Sequence, residues 1–354
     1  MKINFLLPAV HTDPVGGVKV VLGYANKMAE DGHSVNIIYP IRISMEEMLQ
    51  PSLLSNIIVR KKMITKRIKN KHTAASWFQL DTAVKERLVP SLLSKYIPDA
   101  DVTFATAWQT AGWLNTYPRS KGKKMYLIQH FEDWYGTKEE VEATWKMPLY
   151  KIVIARWLKD YASTIGEESY LVNYGLDAHT FDITVPIEKR NPFRLMMLYH
   201  HLTWKGSADG LKAVKIVKEQ FPQLSLTLFG VTAAPKDLPV WIEYHRKPKD
   251  LKKLYNEASI FLSPSWGEGW ALPPAEAMQC GCAVVATDIG GHNDYGINRK
   301  DLLLAPVKDP AGLAKVIITL LENDQLRIQI ARSGNQTIQK FTWDAAYQNL
   351  KSHF

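Results

Sequence analysis

A chain of 354 residues, 46% of them hydrophobic, is long enough to bury two cores, and its two cysteines exclude a disulfide framework. No run approaches the roughly 18 apolar residues of a membrane span, so the chain reads as soluble or peripheral. The formal net charge of +9, most of whose excess falls before Val172, favours an anionic partner such as a nucleotide or a phospholipid surface.

Lys2 to Pro8 reads as a first strand. Its apolar run is too short for a signal peptide, is broken by Pro8 and meets His11, Thr12 and Asp13 without a cleavage site. A loop through Gly16-Gly17 follows, then a helix from about Val18 to Asp31, on which Val18, Val21, Leu22, Ala25 and Met28 recur at helical spacing. Strand Ser34–Tyr39 completes a β-loop-α-β unit and predicts a parallel sheet, with the glycine pair letting backbone approach a ligand at the sheet's carboxyl edge. Any tight turn uses such a pair, so it is a weak signal by itself.

Residues 60–72 hold seven Lys or Arg and no acid, with Met63, Ile64 and Ile68 interleaved. Two readings stand: a solvated face, or a contact with an anionic membrane surface. No motif supports nucleic-acid recognition. Asp101–Ala107 reads as a strand. Asp99 and Asp101 spell Asp-x-Asp but precede that strand, where a donor-facing metal motif would follow one, so no bound metal is expected. Lys124–Gln129 is another strand and delivers His130, among aromatics, to its carboxyl end. Strand Lys151–Ala155 and helix Arg156–Ser163 follow, and the polar span Asp182–Pro192 reads as a linker.

Beyond it, strand Arg194–Tyr199 leads through His200, His201, Trp204, Lys205 and Gly206 into a helix from about Ser207 to Gln220. Strands Leu224–Phe229 and Trp241–His245 and helix Pro248–Glu257 come next. Ile260-Phe261-Leu262 is a short buried strand opening the stretch that organises the chain, Ser263 to Gly291. Proline is tolerated in a helix's first turn, so Pro273-Pro274 marks a helix start, whose N–H groups and positive dipole end face the loop Glu268-Gly269-Trp270. Glu268 in the loop and Glu276 in the expected first turn suit hydroxyl ligands better than a metal, although each taken singly is equally a loop or helix-start glutamate. Cys280 and Cys282 fall in the following turn and strand Cys282–Thr287, as small buried residues. Helices Asp309–Asn323 and Asp324–Lys340 and a last helix from Phe341 end the chain.

Glu268 and Glu276 with the residues between them closely resemble the Glu-x7-Glu signature of the retaining glycosyltransferases of family 4. Asn173-Tyr174-Gly175-Leu176-Asp177 with Phe181 resembles that family's Asn-x-Gly-x-Asp turn, and Lys205-Gly206 its Lys-Gly pair. The resemblance implies a GT-B fold: two Rossmann-like doubly wound domains facing across a cleft, an acceptor-side domain over 1–181, a donor domain over 182–340 and a terminal helix, 341–354, crossing back. It further implies that Glu276 binds a ribose, Glu268 the transferred sugar and Lys205 the diphosphate, with Gly16, Gly17, His200, Gly269, Trp270, Ala271 and Leu272 around the donor and His130 at the donor or acceptor. The family usually has an arginine where His200 or His201 stands, and often a glutamate at Asp294. The implied activity is transfer from a nucleotide-sugar donor to a glycan or lipid-linked acceptor, without metal or cofactor, in a cytoplasmic or inner-membrane-face step of bacterial surface-glycan assembly. A sugar-nucleotide epimerase and a noncatalytic partner subunit remain as alternatives.

Overall fold

A computed structural model describes residues 1–11, 13–42, 77–133, 136–177 and 180–354; the basic run 60–72 lies outside them. The chain divides into two units, Met1–Asn173 with Ala346–Phe354, and Tyr174–Ala345. Each is a parallel α/β sheet, as the alternation of strand and helix signals requires.

In the first unit β1 (Lys2–Leu6), β2 (Ser34–Arg42), β3 (Lys85–Ser91), β4 (Val102–Ala105), β5 (Lys123–Ile128), β6 (Tyr150–Val153) and β7 (Tyr170–Leu171) lie in the order β3-β2-β1-β4-β5-β6-β7. In the second, β8 (Arg194–Leu198), β9 (Ser225–Gly230), β10 (Ile242–Arg246), β11 (Ile260–Ser263), β12 (Ala283–Thr287) and β13 (Leu303–Ala305) lie in the order β10-β9-β8-β11-β12-β13. Strand order reverses between β1 and β4 and again between β8 and β11. Helices leave opposite faces at such a point, opening a crevice at the strands' carboxyl ends.

Covered on both faces, the central strands are apolar throughout: Ile260, Leu262, Ala283 and Val285 are all fully buried. They pack against Ala213, Val214 and Val217 of α5 (Ser207–Gln220) and Leu313, Ile317 and Leu320 of α9 (Pro310–Glu322). Cys280 and Cys282 are buried free thiols; burial pushes the Cys282 thiol up to about 12, so it stays protonated and inert.

The structure departs from the sequence reading at several ends. α1 runs Gly16–Glu30, so the glycine pair forms the first turn of the helix and not a loop before it. A Cβ at Gly17 would sit 3.2 Å from the Gln129 carboxamide, a tight contact with the end of a flexible side chain. Strand β3 carries Pro90, which argues against a central strand, but β3 is at the sheet edge, where a missing N–H is tolerated. Helices α2 (Trp108–Asn115), α3 (Lys138–Trp145) and α4 (Arg156–Thr164) fill the first unit. Of the last helix, α11 (Trp343–Lys351), residues from Ala346 onward belong to the first unit, where Asp31 accepts hydrogen bonds from Tyr347 (2.7 Å) and Lys351 (2.6 Å).

Gly206 caps α5 with φ +65°, and a Cβ there would lie 1.9 Å from the carbonyl oxygen of Pro264. Gly206→Ala therefore has to move the loop after β11 as well as adopt a left-handed backbone. We expect a loss of at least about 1–3 kcal/mol in urea unfolding; an unchanged midpoint would contradict this packing.

Candidate functional site in the second unit

The reversal between β8 and β11 makes neighbours of two loops far apart in sequence: His200–Gly206 after β8 and Pro264–Ala271 after β11. Their side chains meet in an ion pair. Lys205 Nζ lies 2.7 and 2.9 Å from the two carboxylate oxygens of Glu268, with both side chains largely covered. Ser265 Oγ donates to Glu268 Oε1 at 2.8 Å, and the Lys205 ammonium lies 4.2 Å from the centre of the Trp204 ring. Leu198, Lys205, Ser263, Glu268, Ala271 and Pro273 are among the residues lining a small pocket here.

The start of α7 (Leu272–Gln279) also lines the pocket; it begins one residue earlier than the proline pair suggests, after an N-cap residue, Ala271, in a left-handed conformation, φ 55°. Glu276 is consequently the fifth residue of α7 and lies beyond the first turn. Pro273 and Pro274 carry no N–H, so the backbone donors left at this end are those of the loop and of Ala271 and Leu272. Glu276 is buried, and Tyr255 Oη donates to its Oε2 at 3.2 Å. Lys205 and Glu268 are brought together and both line the pocket, whose lining residues do not include Glu276. Trp270 is 1% exposed and donates from its indole to Asp294 at 3.0 Å, packed edge-on against Tyr174, Tyr295 and Phe341. Only its backbone is available to a ligand.

His200 is not a ready cation. Burial first, then the charges of Lys205 and His201, pull its pKa down to about 4, so near neutral pH the ring is uncharged. Its Nδ1 accepts the Leu202 amide at 3.1 Å, and it stacks on His201. A second cation in the place of the family's arginine therefore requires phosphate to raise that pKa again.

Three residues to which the sequence reading assigns no role support the site: Ser263, Thr287 and His292. His292, in the short helix α8 (Gly290–Asn293), is fully buried between Ser263 Oγ (3.0 Å) and Thr287 O (2.7 Å).

In the first unit, His130 leaves β5 with Nδ1 2.9 Å from Phe131 O and its ring edge-on to Trp157. Beside it Glu132, also missed, accepts the first amide of α2, from Trp108, at 3.0 Å; burial raises its pKa to about 7 against that hydrogen bond. Asp99 and Asp101 are at the amino end of β4, where Asp99 pairs with Lys121 at 2.7 Å and Asp101 accepts the Lys2 amide. Among the described residues no helix is long and apolar enough to cross a membrane.

Residues 195–323 match the family model described as glycosyl transferases group 1. The D-inositol 3-phosphate glycosyltransferase of Corynebacterium efficiens is 33% identical over 107 residues, 30% of this chain and 25% of that protein. The N,N'-diacetylbacillosaminyl-diphospho-undecaprenol alpha-1,3-N-acetylgalactosaminyltransferase of Campylobacter jejuni is 33% identical over 95 residues, 27% and 25% of the two chains. The chain thus spans about a quarter of the length of these relatives. Anabaena HepE, solved in complex with UDP and glucose, aligns over 100% of this chain and 99% of its own with a TM-score of 0.73 at 15% identity, a likeness of fold alone. The second unit carries a group 1 glycosyltransferase domain over residues 195–323, in a chain of GT-B fold.

Proposed function

We propose that the protein transfers a sugar, with retention of configuration, from a nucleotide diphosphate sugar to an acceptor hydroxyl, as a glycosyltransferase of family 4. The observation that carries this reading is the Lys205–Glu268 pair at the strand-order reversal of the group 1 domain. It joins one cation and one carboxylate, charges suited to a diphosphate and to sugar hydroxyls. Lys205 meets the diphosphate with the amides of Gly269–Leu272, Glu268 meets the sugar, Glu276 the ribose and His130 a hydroxyl. Charge on the leaving group is met by these groups without a metal. The likeness to HepE makes UDP the first nucleotide to try, and the name of the Campylobacter relative makes a lipid-linked acceptor in surface-glycan assembly the first acceptor class.

A panel of UDP, GDP, dTDP and ADP sugars tests the reading through nucleotide release: slow hydrolysis of one donor is expected, and release from none, despite nucleotide binding, would favour the noncatalytic subunit that the neutral His200 keeps in view. Conversion of a free nucleotide sugar to its epimer would point instead to an epimerase. Residues 60–72 we assign to an anionic membrane surface on the cytoplasmic side, each basic residue contributing about 1 kcal/mol near such a surface. Flotation with acidic vesicles should fall as salt rises; equal binding to neutral vesicles would remove the electrostatic account.

A further inference from the structure

We propose that His292 is a positioning residue whose buried imidazole fixes the loop carrying Glu268, an inference that rests on the transferase reading for its catalytic consequence but not for its geometry. A carbonyl only accepts, so the 2.7 Å contact with Thr287 O places a proton on Nδ1. Burial lowers the pKa of His292, which keeps the ring neutral, and Nε2 then accepts from Ser263 Oγ at 3.0 Å. Both ring nitrogens are used, and the imidazole ties the last residue of β11 to the last residue of β12. The Glu268 loop leaves from that edge.

The connection continues to Glu268 by two routes. Thr287 Oγ1 donates to Ser265 O, and Ser265 Oγ donates to Glu268 Oε1 at 2.8 Å. The backbone of α8 also abuts Glu268 directly: a Cβ at Gly291 would lie 2.7 Å from the Glu268 carbonyl oxygen and 3.0 Å from its Cβ. Downstream, Asp294 accepts the Trp270 indole and Tyr295 Oη donates to Ala271 O at 3.4 Å. Residues 290–295 therefore hold the loop at Glu268, Trp270 and Ala271, and His292 anchors residues 290–295 to the sheet. A displacement of about 1 Å in a catalytic group lowers turnover by about 10²-fold, so the anchor matters to the rate as well as to the fold.

Three variants grade the effect. His292→Leu loses both hydrogen bonds; His292→Asn keeps a donor where Nδ1 stands and so retains the Thr287 bond; Ser263→Ala removes one hydroxyl and nothing else. Amide hydrogen exchange over residues 265–271 should quicken about tenfold or more in His292→Leu and less in His292→Asn, with the rest of the second unit unchanged. With whichever nucleotide sugar the wild type hydrolyses, kcat should fall about 10²-fold in His292→Leu with KM within about threefold, and Asn should restore part of it. Long-range 1H–15N correlation of the imidazole should show the Nδ1–H tautomer, which Ser263→Ala perturbs at Nε2. An Nε2–H tautomer, or exchange at 265–271 that does not respond in folded His292→Leu, would overturn the proposal. If His292→Leu fails to fold, Ser263→Ala decides by the same exchange measurement. A wild type that releases nucleotide from no donor overturns the transferase reading alone, and the exchange and tautomer results still decide this one.

Discussion

Lys205→Ala is expected to lower nucleotide release from the donor by about 10²–10³-fold, the effect of removing one oriented group that stabilises charge on a leaving oxygen. The structure adds a condition to that expectation. Lys205 is held by both oxygens of Glu268, so an incoming diphosphate competes with a carboxylate for the same ammonium. If the diphosphate binds as proposed, its two negative charges would outweigh one and draw Lys205 to the phosphates, while Glu268 would keep its bond from Ser265. Removing the lysine also leaves the largely covered Glu268 carboxylate without its counter-charge, so some stability is lost along with activity. Lys205→Arg separates the two effects: it preserves a cation for both partners, and it should retain the wild-type unfolding midpoint while recovering only part of the rate, because a planar guanidinium does not occupy the position of a compact ammonium. A rate for Lys205→Ala near that of the wild type would place the diphosphate elsewhere.

Sequence alone made the architecture legible where each strand is covered on both faces. Ile260-Phe261-Leu262 and Ala283–Thr287 are short apolar runs bounded by turn residues, and the topology follows from their alternation with helices. At α3 the sequence carries a readable start signal, since Thr137 and Glu140 form a reciprocal capping box. Other elements carry no local signal. α2 starts without a side-chain cap on its N-cap residue, Ala107; Thr110 Oγ1, inside the helix, accepts the amides of Thr106 and Ala107. At the site, Lys205 and Glu268 were found through motifs, but their contact spans 63 residues and exists only because β8 and β11 are adjacent. The supporting residues were invisible for the same reason. His292 meets Ser263 across 29 positions and Tyr255 meets Glu276 across 21, and neither spacing has a periodicity to betray it. Glu132 stands among aromatics with no motif to mark it, and the burial that raises its pKa to about 7 is encoded by no local pattern.

Glu268→Gln is expected to reduce turnover by about two to three orders of magnitude while leaving nucleotide affinity unchanged or raised. The glutamine keeps the shape of the side chain and the acceptor for Ser265, but it gives up the charge that pairs with Lys205. Lys205 is then released to the diphosphate, so the nucleotide should bind at least as well, and the loss should fall on kcat. That split distinguishes a group acting on the developing positive charge of the sugar ring from one that merely shapes the pocket. Retention can arise through a covalent glycosyl intermediate on a carboxylate, or through attack on the face from which the phosphate departs, the phosphate taking the acceptor's proton. On the proposed reading Glu268 keeps the Ser265 hydrogen bond on one oxygen and holds a sugar hydroxyl with its carboxylate instead of attacking the anomeric carbon, which favours the second route. The residual product of Glu268→Gln made from an α-linked donor should therefore still be α-linked, and a chelator should change the rate little, since Lys205 and the loop amides meet the diphosphate charge. Coupling constants at the new anomeric centre read the outcome. An inverted product, or a glycosyl adduct trapped on Glu268 of the wild type, would overturn the front-face route.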